Sequence, residues 1–263
     1  MTEVRHSLRA TFDVDAERYD RCRPGYPAAL FDDLRELVPI ETGTRVLEIG
    51  CGTGQATVPL ARLGAAITAV ELGAELAAIA RGKLADFDAR VVVGAFEDWP
   101  LPATPFDLVL AATSFHWLDP TIRVIKSANA LRPGGAIAVV STHHIAGGTA
   151  EFFAGAQRCY ERFDPDTRVG QRLPNAHEVP FDRAEFDASG RFTAVALRRY
   201  EWETRYTARE YVDLLRTYSG TIAMPAGSRE ALLSCIGRLI DREYVGTITK
   251  RYLTQLAIAR RAR

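Results

Sequence analysis

In the stretch "VLEIGCGTGQAT", residues 46–57, three glycines alternate at 50, 52 and 54, and Glu48 stands two residues ahead of them. A glycine loop lets the backbone approach a ligand closely because no Cβ intervenes. When a helix follows, the loop also aims free N–H groups at that ligand. The dinucleotide fingerprint G-x-G-x-x-G would need glycine at position 55, where this chain has Gln55. The phosphate-cradling G-x-x-x-x-G-K-[ST] is absent. Glu48 would repel a pyrophosphate and suits a ligand carrying an amine or a sulfonium, met directly or through water. Glu71 lies about 20 residues past the glycines, where an acidic side chain can accept both hydroxyls of a ribose.

Groups able to move a proton or orient a substrate are His116, His143 and His144. Each can equally be a hydrogen-bonded wall or solvent residue that transfers no proton. Trp99 and Trp117 are core, rim or stacking residues, and Arg172 and His177 read as surface charge.

The elements around these residues explain their importance. Residues 13–37 read as helix broken at "CRPGYP", where Pro24, Gly25 and Pro27 force a turn. Arg45–Gly50, Ala66–Glu71, Arg90–Gly94, Phe106–Ala112 and Ala136–Ser141 read as strands. Helices over Gln55–Leu63, Ala74–Leu84 and Pro120–Leu131 alternate with them, which indicates a parallel sheet covered on both faces. Unbroken apolar strands agree with burial on both sides. The glycine loop, Glu71, His116 and the pair His143 and His144 then fall at carboxyl ends of strands, where ligands bind in open α/β sheets. Beyond residue 142 helices are expected at Thr149–Phe163, Tyr206–Tyr218 and Ser228–Tyr244, with strands at Phe192–Thr204 and Gly246–Ala259.

With these residues in place, the chain resembles the class I S-adenosyl-L-methionine (SAM) dependent methyltransferases. "VLEIGCGTG" resembles their first motif and Glu71 their ribose-binding acid. "VGAFEDWPLPATPFDLVLAATSFHWLDP" and "ALRPGGAIAVV" resemble the segments that follow. "YDRCRPGYP", "FHW" and "YTAREYVDLLRTYS" resemble a narrower group of small-molecule methyltransferases related to trans-aconitate methyltransferase. The resemblance implies a Rossmann-like doubly wound sheet of about seven strands, mostly parallel with the last antiparallel. Residues 1–142 would supply the N-terminal helices and the SAM-binding core. Residues 143–263 would finish the sheet and carry inserted cap segments at about 143–190 and 206–245.

The same resemblance implies a cofactor set of Glu48, Gly50, Cys51, Gly52, Gly54, Glu71 and Leu72, with Ala95, Phe96 and Glu97 flanking adenine. Tyr19 and Arg23 would fold over the cofactor, with Arg23 toward its carboxylate. Many relatives have Asp where this chain has Ala95. The implied reaction is transfer of a methyl group to a small-molecule acceptor, at oxygen rather than nitrogen or carbon, with S-adenosyl-L-homocysteine as product; His116 and His143, at strand ends, are the candidate catalytic residues, as base or as substrate-orienting group. The rival readings are an NAD-dependent oxidoreductase, a SAM-binding protein without transfer activity, and methylation of RNA.

The 33 basic and 33 acidic residues cancel, which speaks against a dedicated nucleic-acid binder. The closing "ARRAR" reads as a solvated tail. No apolar run approaches the ~20 residues of a membrane span, and "MTEVRHSLRATFDVDAERYD" lacks the apolar core of a signal peptide. Cys22, Cys51, Cys159 and Cys235 show no paired spacing and read as reduced thiols of a cytoplasmic protein, with no zinc or other metal site. A monomer or a homodimer is expected.

Overall fold

The computed structural model describes residues 11–181 and 183–263. The first ten residues of the stretch tested for a signal peptide lie outside them. Seven strands form one sheet in the order β3-β2-β1-β4-β5-β7-β6. They are β1 (Arg45–Ile49), β2 (Ala66–Glu71), β3 (Ala89–Val93), β4 (Phe106–Ala112), β5 (Leu131–His144), β6 (Phe192–Thr207) and β7 (Thr247–Arg261). β1 to β5 are parallel, and β7 runs antiparallel to both β5 and β6. β1 lies between β2 and β4, so the winding reverses there and a crevice opens beyond the strand ends.

Helices α1 (Ala16–Cys22), α2 (Ala28–Leu37), α3 (Thr57–Arg62) and α4 (Ala74–Lys83) precede the switch strand β4. Leu30, Leu34, Leu60, Ala77 and Ala80 from α2 to α4 cover one face of the sheet through Val46, Ile67, Leu108 and Ala138. On the other face Leu47, Ile49, Val109 and Ile137 meet α5 (Arg123–Ala130) and α7 (Ala184–Ser189) through Val124, Ala128 and Phe186. Val46 and Leu47 thus go to opposite faces, as strand alternation requires.

α6 (Ala150–Phe163), α8 (Ala208–Leu215), α9 (Ser219–Ala223) and α10 (Ala226–Glu243) complete the chain. Phe152, Leu214, Leu232, Ile236 and Ile240 pack with Tyr206, Ile248 and Tyr252 in a separate core. That core is built on the ends of β6 and β7, whose paired length runs from Phe192↔Arg261 to Thr207↔Thr247. α8 starts at a capping box: Thr207 Oγ1 accepts the Glu210 amide at 3.3 Å, and the Glu210 carboxylate accepts the Thr207 amide at 2.8 Å.

Several expectations need correction. β5 continues to His144 instead of stopping at Ser141, because β7 pairs with it as far as His144↔Tyr252. The helix expected over Tyr206–Tyr218 is shorter: β6 runs on to Thr207, α8 covers Ala208–Leu215, and a turn follows before α9 begins at Ser219. Cys159 and Cys235 are not free thiols. They form a disulfide across 76 residues, joining α6 to α10, whose packed faces no linear spacing reveals. With two of the four thiols paired, cysteine usage no longer argues for a reducing compartment. "ARRAR" is not a free tail either. It ends β7, with Arg260 donating to the Leu37 carbonyl and Arg261 to that of Leu131. Among the described residues no helix is long and apolar enough to cross a membrane. No group of three or more His, Cys, Asp or Glu is gathered there to hold a metal.

Candidate active site

Gly50, Gly52 and Gly54 all have positive φ, at +69, +57 and +93°. At Gly50 the requirement is double, since a Cβ would also sit 2.7 Å from the Cβ of Ser114, the residue two past the end of β4. Ser114 closes that approach by donating its hydroxyl to the Ile49 carbonyl. Its neighbour Thr113 is held at φ +57°, a conformation β-branched residues avoid. The Thr113 hydroxyl is hydrogen-bonded to Tyr26 at 2.9 Å. Strain stored at the junction of two strand ends marks a place the fold over-determines.

Two carboxylates face the loop. Glu71 Oε2 accepts the Gly52 amide at 2.8 Å and Oε1 the Gly73 amide at 2.9 Å. Burial still holds its carboxyl above the usual range, with these amides pulling it back. Glu48 is 1% exposed, and burial, aided by the nearby Glu71 charge, pushes it up to about 7. Its Oε2 has no hydrogen-bond partner.

The first described turn and α1 close over the loop. Tyr19 lies over Gly52, 3.4 Å from where a Cβ would stand. Asp20 accepts the Thr53 hydroxyl at 2.6 Å and pairs with Lys83. Arg23, at the end of α1, donates Nη2 to the Thr217 carbonyl at 2.7 Å. Its guanidinium lies 4.6 Å from the Tyr218 ring centre and 5.1 Å from that of Tyr19. Its Nε is buried without a partner.

Two cavities meet beneath this roof. The first, of about 250 Å³, includes Glu71, Leu72, Phe96, His116 and Trp117 in its wall, with Phe12 at its edge. The second, of about 310 Å³, includes Glu48, Cys51, Thr142, His144, Lys250 and Tyr252. Tyr19, Arg23, Gly50, Gly52, Ala112, Thr113 and Tyr218 line both.

The expected residues therefore divide. Glu71, Leu72 and Phe96 line the first cavity alone, and Glu48 and Cys51 the second alone. Gly54 lines neither and shapes the turn into α3. Ala95 is not in the wall, where its neighbours Gly94 and Phe96 are. Glu97 is also outside it, with Oε1 accepting the Asp119 amide at 3.1 Å. His116 lines the first cavity and is exposed at its rim. His143 enters neither cavity: with β5 extended, alternation turns it to the opposite face, where it bonds the Ser141 hydroxyl at 3.0 Å. Burial, reinforced by the Arg199 charge, lowers its pKa. His144 is the histidine that enters the second cavity. Burial and the Lys250 charge hold its pKa down to about 2.

Reading the sequence missed Phe12, Asp13 and Lys250, and quoted Tyr218 without a role. Lys250 and Tyr218 are brought together by the β7 register and the α8–α9 turn, for which the sequence offers no local signal.

Residues 47–139 match a family model described as a methyltransferase domain. The chain is 29% identical over 240 residues to an uncharacterized methyltransferase of Mycobacterium bovis, covering 91% of this chain and 89% of that one. It is 31% identical over 144 residues to the malonyl-[acyl-carrier protein] O-methyltransferase of Pectobacterium atrosepticum, 54% of each chain. A solved phosphoethanolamine N-methyltransferase 2 of Haemonchus contortus, in complex with phosphomonomethylethanolamine and S-adenosylhomocysteine, shares the fold. Its TM-score is 0.53 at 17% identity, covering 95% of this chain and 58% of that chain.

Proposed function

The chain carries a class I methyltransferase domain, of the kind that uses SAM, and we propose that it moves the methyl group to an oxygen of a small-molecule acceptor held in the second cavity. The observation that carries this reading is the shared wall between the two cavities, which runs from Gly50 and Gly52 to Tyr218. One compartment suits a nucleoside, and the other opens beside it at the ends of β1, β4 and β5.

The residues present fit SAM. Glu71 already gathers two amides at the end of β2, which supports its reading as a ribose-binding acid. Glu48 Oε2, on the second-cavity side of the shared wall at Gly50 and Gly52, and Arg23 Nε are buried polar atoms without partners, one acidic and one basic, as the amino-acid end of SAM reaching across that wall would satisfy. Gly50 and Gly52 put no Cβ into the wall the two cavities share, and Phe96 and Leu72 offer an apolar wall to adenine.

When bound, SAM supplies an activated methyl group on a sulfonium, so the hard chemistry belongs to the donor. The protein's part is to align the acceptor and exclude water, effects worth up to roughly 7–11 kcal/mol in favourable cases. Tyr19, Tyr26, Tyr218 and Tyr252 wall the second cavity against solvent. Lys250 and Arg23 in that wall would stabilise an acceptor oxygen that carries or develops negative charge, which supports the oxygen reading. The Pectobacterium relative, similar over about half its length, is itself named as an O-methyltransferase.

Calorimetric titration with SAM, followed by transfer assays on alcohols, phenols, carboxylic acids and amines, tests the reading. Binding together with methylation of an oxygen acceptor is expected. Methylation confined to amines would overturn the oxygen assignment, and the absence of SAM binding would overturn the whole reading.

A further inference from the structure

Lys250 is a buried ammonium with no counter-ion among the described residues. It is 2% exposed, and none of the ion pairs among the described residues includes it. Its Nζ donates to the Tyr218 hydroxyl at 2.8 Å and otherwise faces the rings of Tyr252, Tyr218 and Tyr211 at 4.8, 5.1 and 5.9 Å. Burying an unpaired cation is unfavourable unless something nearby takes the complementary charge.

Tyr218 is the group in position to take it. It is the residue just before α9, and its ring lies in the wall common to the two cavities. The groups facing it are Lys250 from β7 and Arg23 from the end of α1, with the phenols of Tyr252, Tyr206, Tyr211 and Tyr160 from β7, β6, α8 and α6. Two of the six are cations and none is a carboxylate. We infer that Tyr218, held by Lys250, is the proton acceptor for an alcohol or phenol bound in the second cavity. This inference rests on the proposed transfer to oxygen.

The step is a simple exchange. The acceptor's O–H bond breaks, its proton forms a bond to the Tyr218 phenolate oxygen, and the electron pair stays on the acceptor oxygen, which becomes the nucleophile toward the methyl donor. After product leaves, the proton passes from Tyr218 to solvent. Burial opposes ionisation of Tyr218, but the Lys250 and Arg23 charges outweigh it and bring the phenol below its ordinary range. The same ammonium keeps the neighbouring His144 neutral and weakly basic, so it does not compete. If a cofactor carboxylate neutralises Arg23, Lys250 continues to stabilise the phenolate through the direct hydrogen bond.

Ultraviolet difference titration of the purified protein at the phenolate band, with and without S-adenosylhomocysteine, reads this without turnover. One of the nine tyrosines should ionise in a distinct step before the others. Tyr218→Phe should remove that step, Lys250→Met should move it upward, and Lys250→Arg should retain it even where the Met variant folds poorly. No early step in the wild type, or an early step surviving in Tyr218→Phe, overturns the inference.

A second arm compares acceptor classes. Tyr218→Phe should slow transfer to phenols by about 10²–10⁴-fold, and transfer to carboxylates, which need no base, should fall far less. Equal losses for both classes, or a wild type that methylates carboxylates alone, also overturn it. An early tyrosine step without any SAM binding would instead overturn the functional reading beneath it.

Discussion

Glu71 Oε2 accepts the Gly52 amide at 2.8 Å, so the end of β2 is tied to the glycine loop that follows β1. The other oxygen takes the Gly73 amide at 2.9 Å, and one carboxylate thereby sets both turns that floor the first cavity. Glu71→Gln keeps the size but leaves an amide nitrogen against a backbone N–H. Each unsatisfied buried donor costs about 1–3 kcal/mol. The variant should lose about that much stability in urea denaturation and bind SAM roughly 10- to 100-fold more weakly by calorimetry. Wild-type SAM affinity in Glu71→Gln would remove Glu71 from the cofactor site.

Glu48 makes stability depend on pH in an unusual direction. Burial raises its carboxyl from 4.5 to about 7, so the folded protein keeps a proton that the unfolded chain has released. Its contribution is full below pH 4.5 and is lost as pH rises through 7, a change of about 3.5 kcal/mol at ~1.4 kcal/mol per unit. Denaturation at a series of pH values should show wild type losing this increment relative to Glu48→Gln. A cation bound beside Glu48 favours the carboxylate, so SAM binding near pH 6 should release up to about one proton, read from the buffer dependence of the binding heat. Glu48→Gln should release none by this route. Identical pH profiles for the two proteins would mean that Glu48 is ionised in the free enzyme.

The sequence carried the sheet, the glycine loop and Glu71, because these depend on short-range signals: apolar runs, glycines at strand ends and an acid one strand further on. His143 shows where that ends. Its assignment depended on where β5 stops, and β5 is prolonged by pairing with β7, more than 100 residues away in the chain. Lys250 and Tyr218 are harder still. Lys250 lies on β7 and Tyr218 just before α9, and their 2.8 Å contact is a product of tertiary packing. The Cys159–Cys235 bridge is of the same kind, fixed by how α6 lies on α10.

Gly50 offers a test of crowding in the loop. Gly50→Ala forces a Cβ into both a left-handed conformation and a 2.7 Å approach to Ser114. Gly134 has a similar φ of +74° but open space around it, so Gly134→Ala isolates the conformational part. The control should lose about 1–2 kcal/mol. Gly50→Ala should lose a further 1–3 kcal/mol or so from overpacking, along with most of its SAM affinity. Equal losses in the two variants would show that Ser114 yields without effort and that the close approach is unimportant.

Asp13 gives the last test, because it fastens the first described turn (Thr11–Asp15) beside the first cavity. Its Oδ1 accepts the amides of Glu75 and Leu76 at 2.9 and 3.0 Å, capping α4 from a distant part of the chain. Gly73 permits this, since a Cβ there would lie 2.5 Å from the same oxygen. The turn also sets Phe12 at the cavity edge, 5.5 Å from Trp117 in an edge-on contact. Removing the cap by Asp13→Ala should cost about 0.5–2 kcal/mol, by analogy with lost N-caps. Its larger effect should be on the ligand: with the turn released, SAM should dissociate several-fold faster in stopped-flow measurements, while the loop held by Glu71 stays formed. Asp13→Asn, which keeps an accepting oxygen, should recover most of the slow dissociation. If Asp13→Ala dissociates SAM at the wild-type rate, the turn caps α4 but does not retain the cofactor.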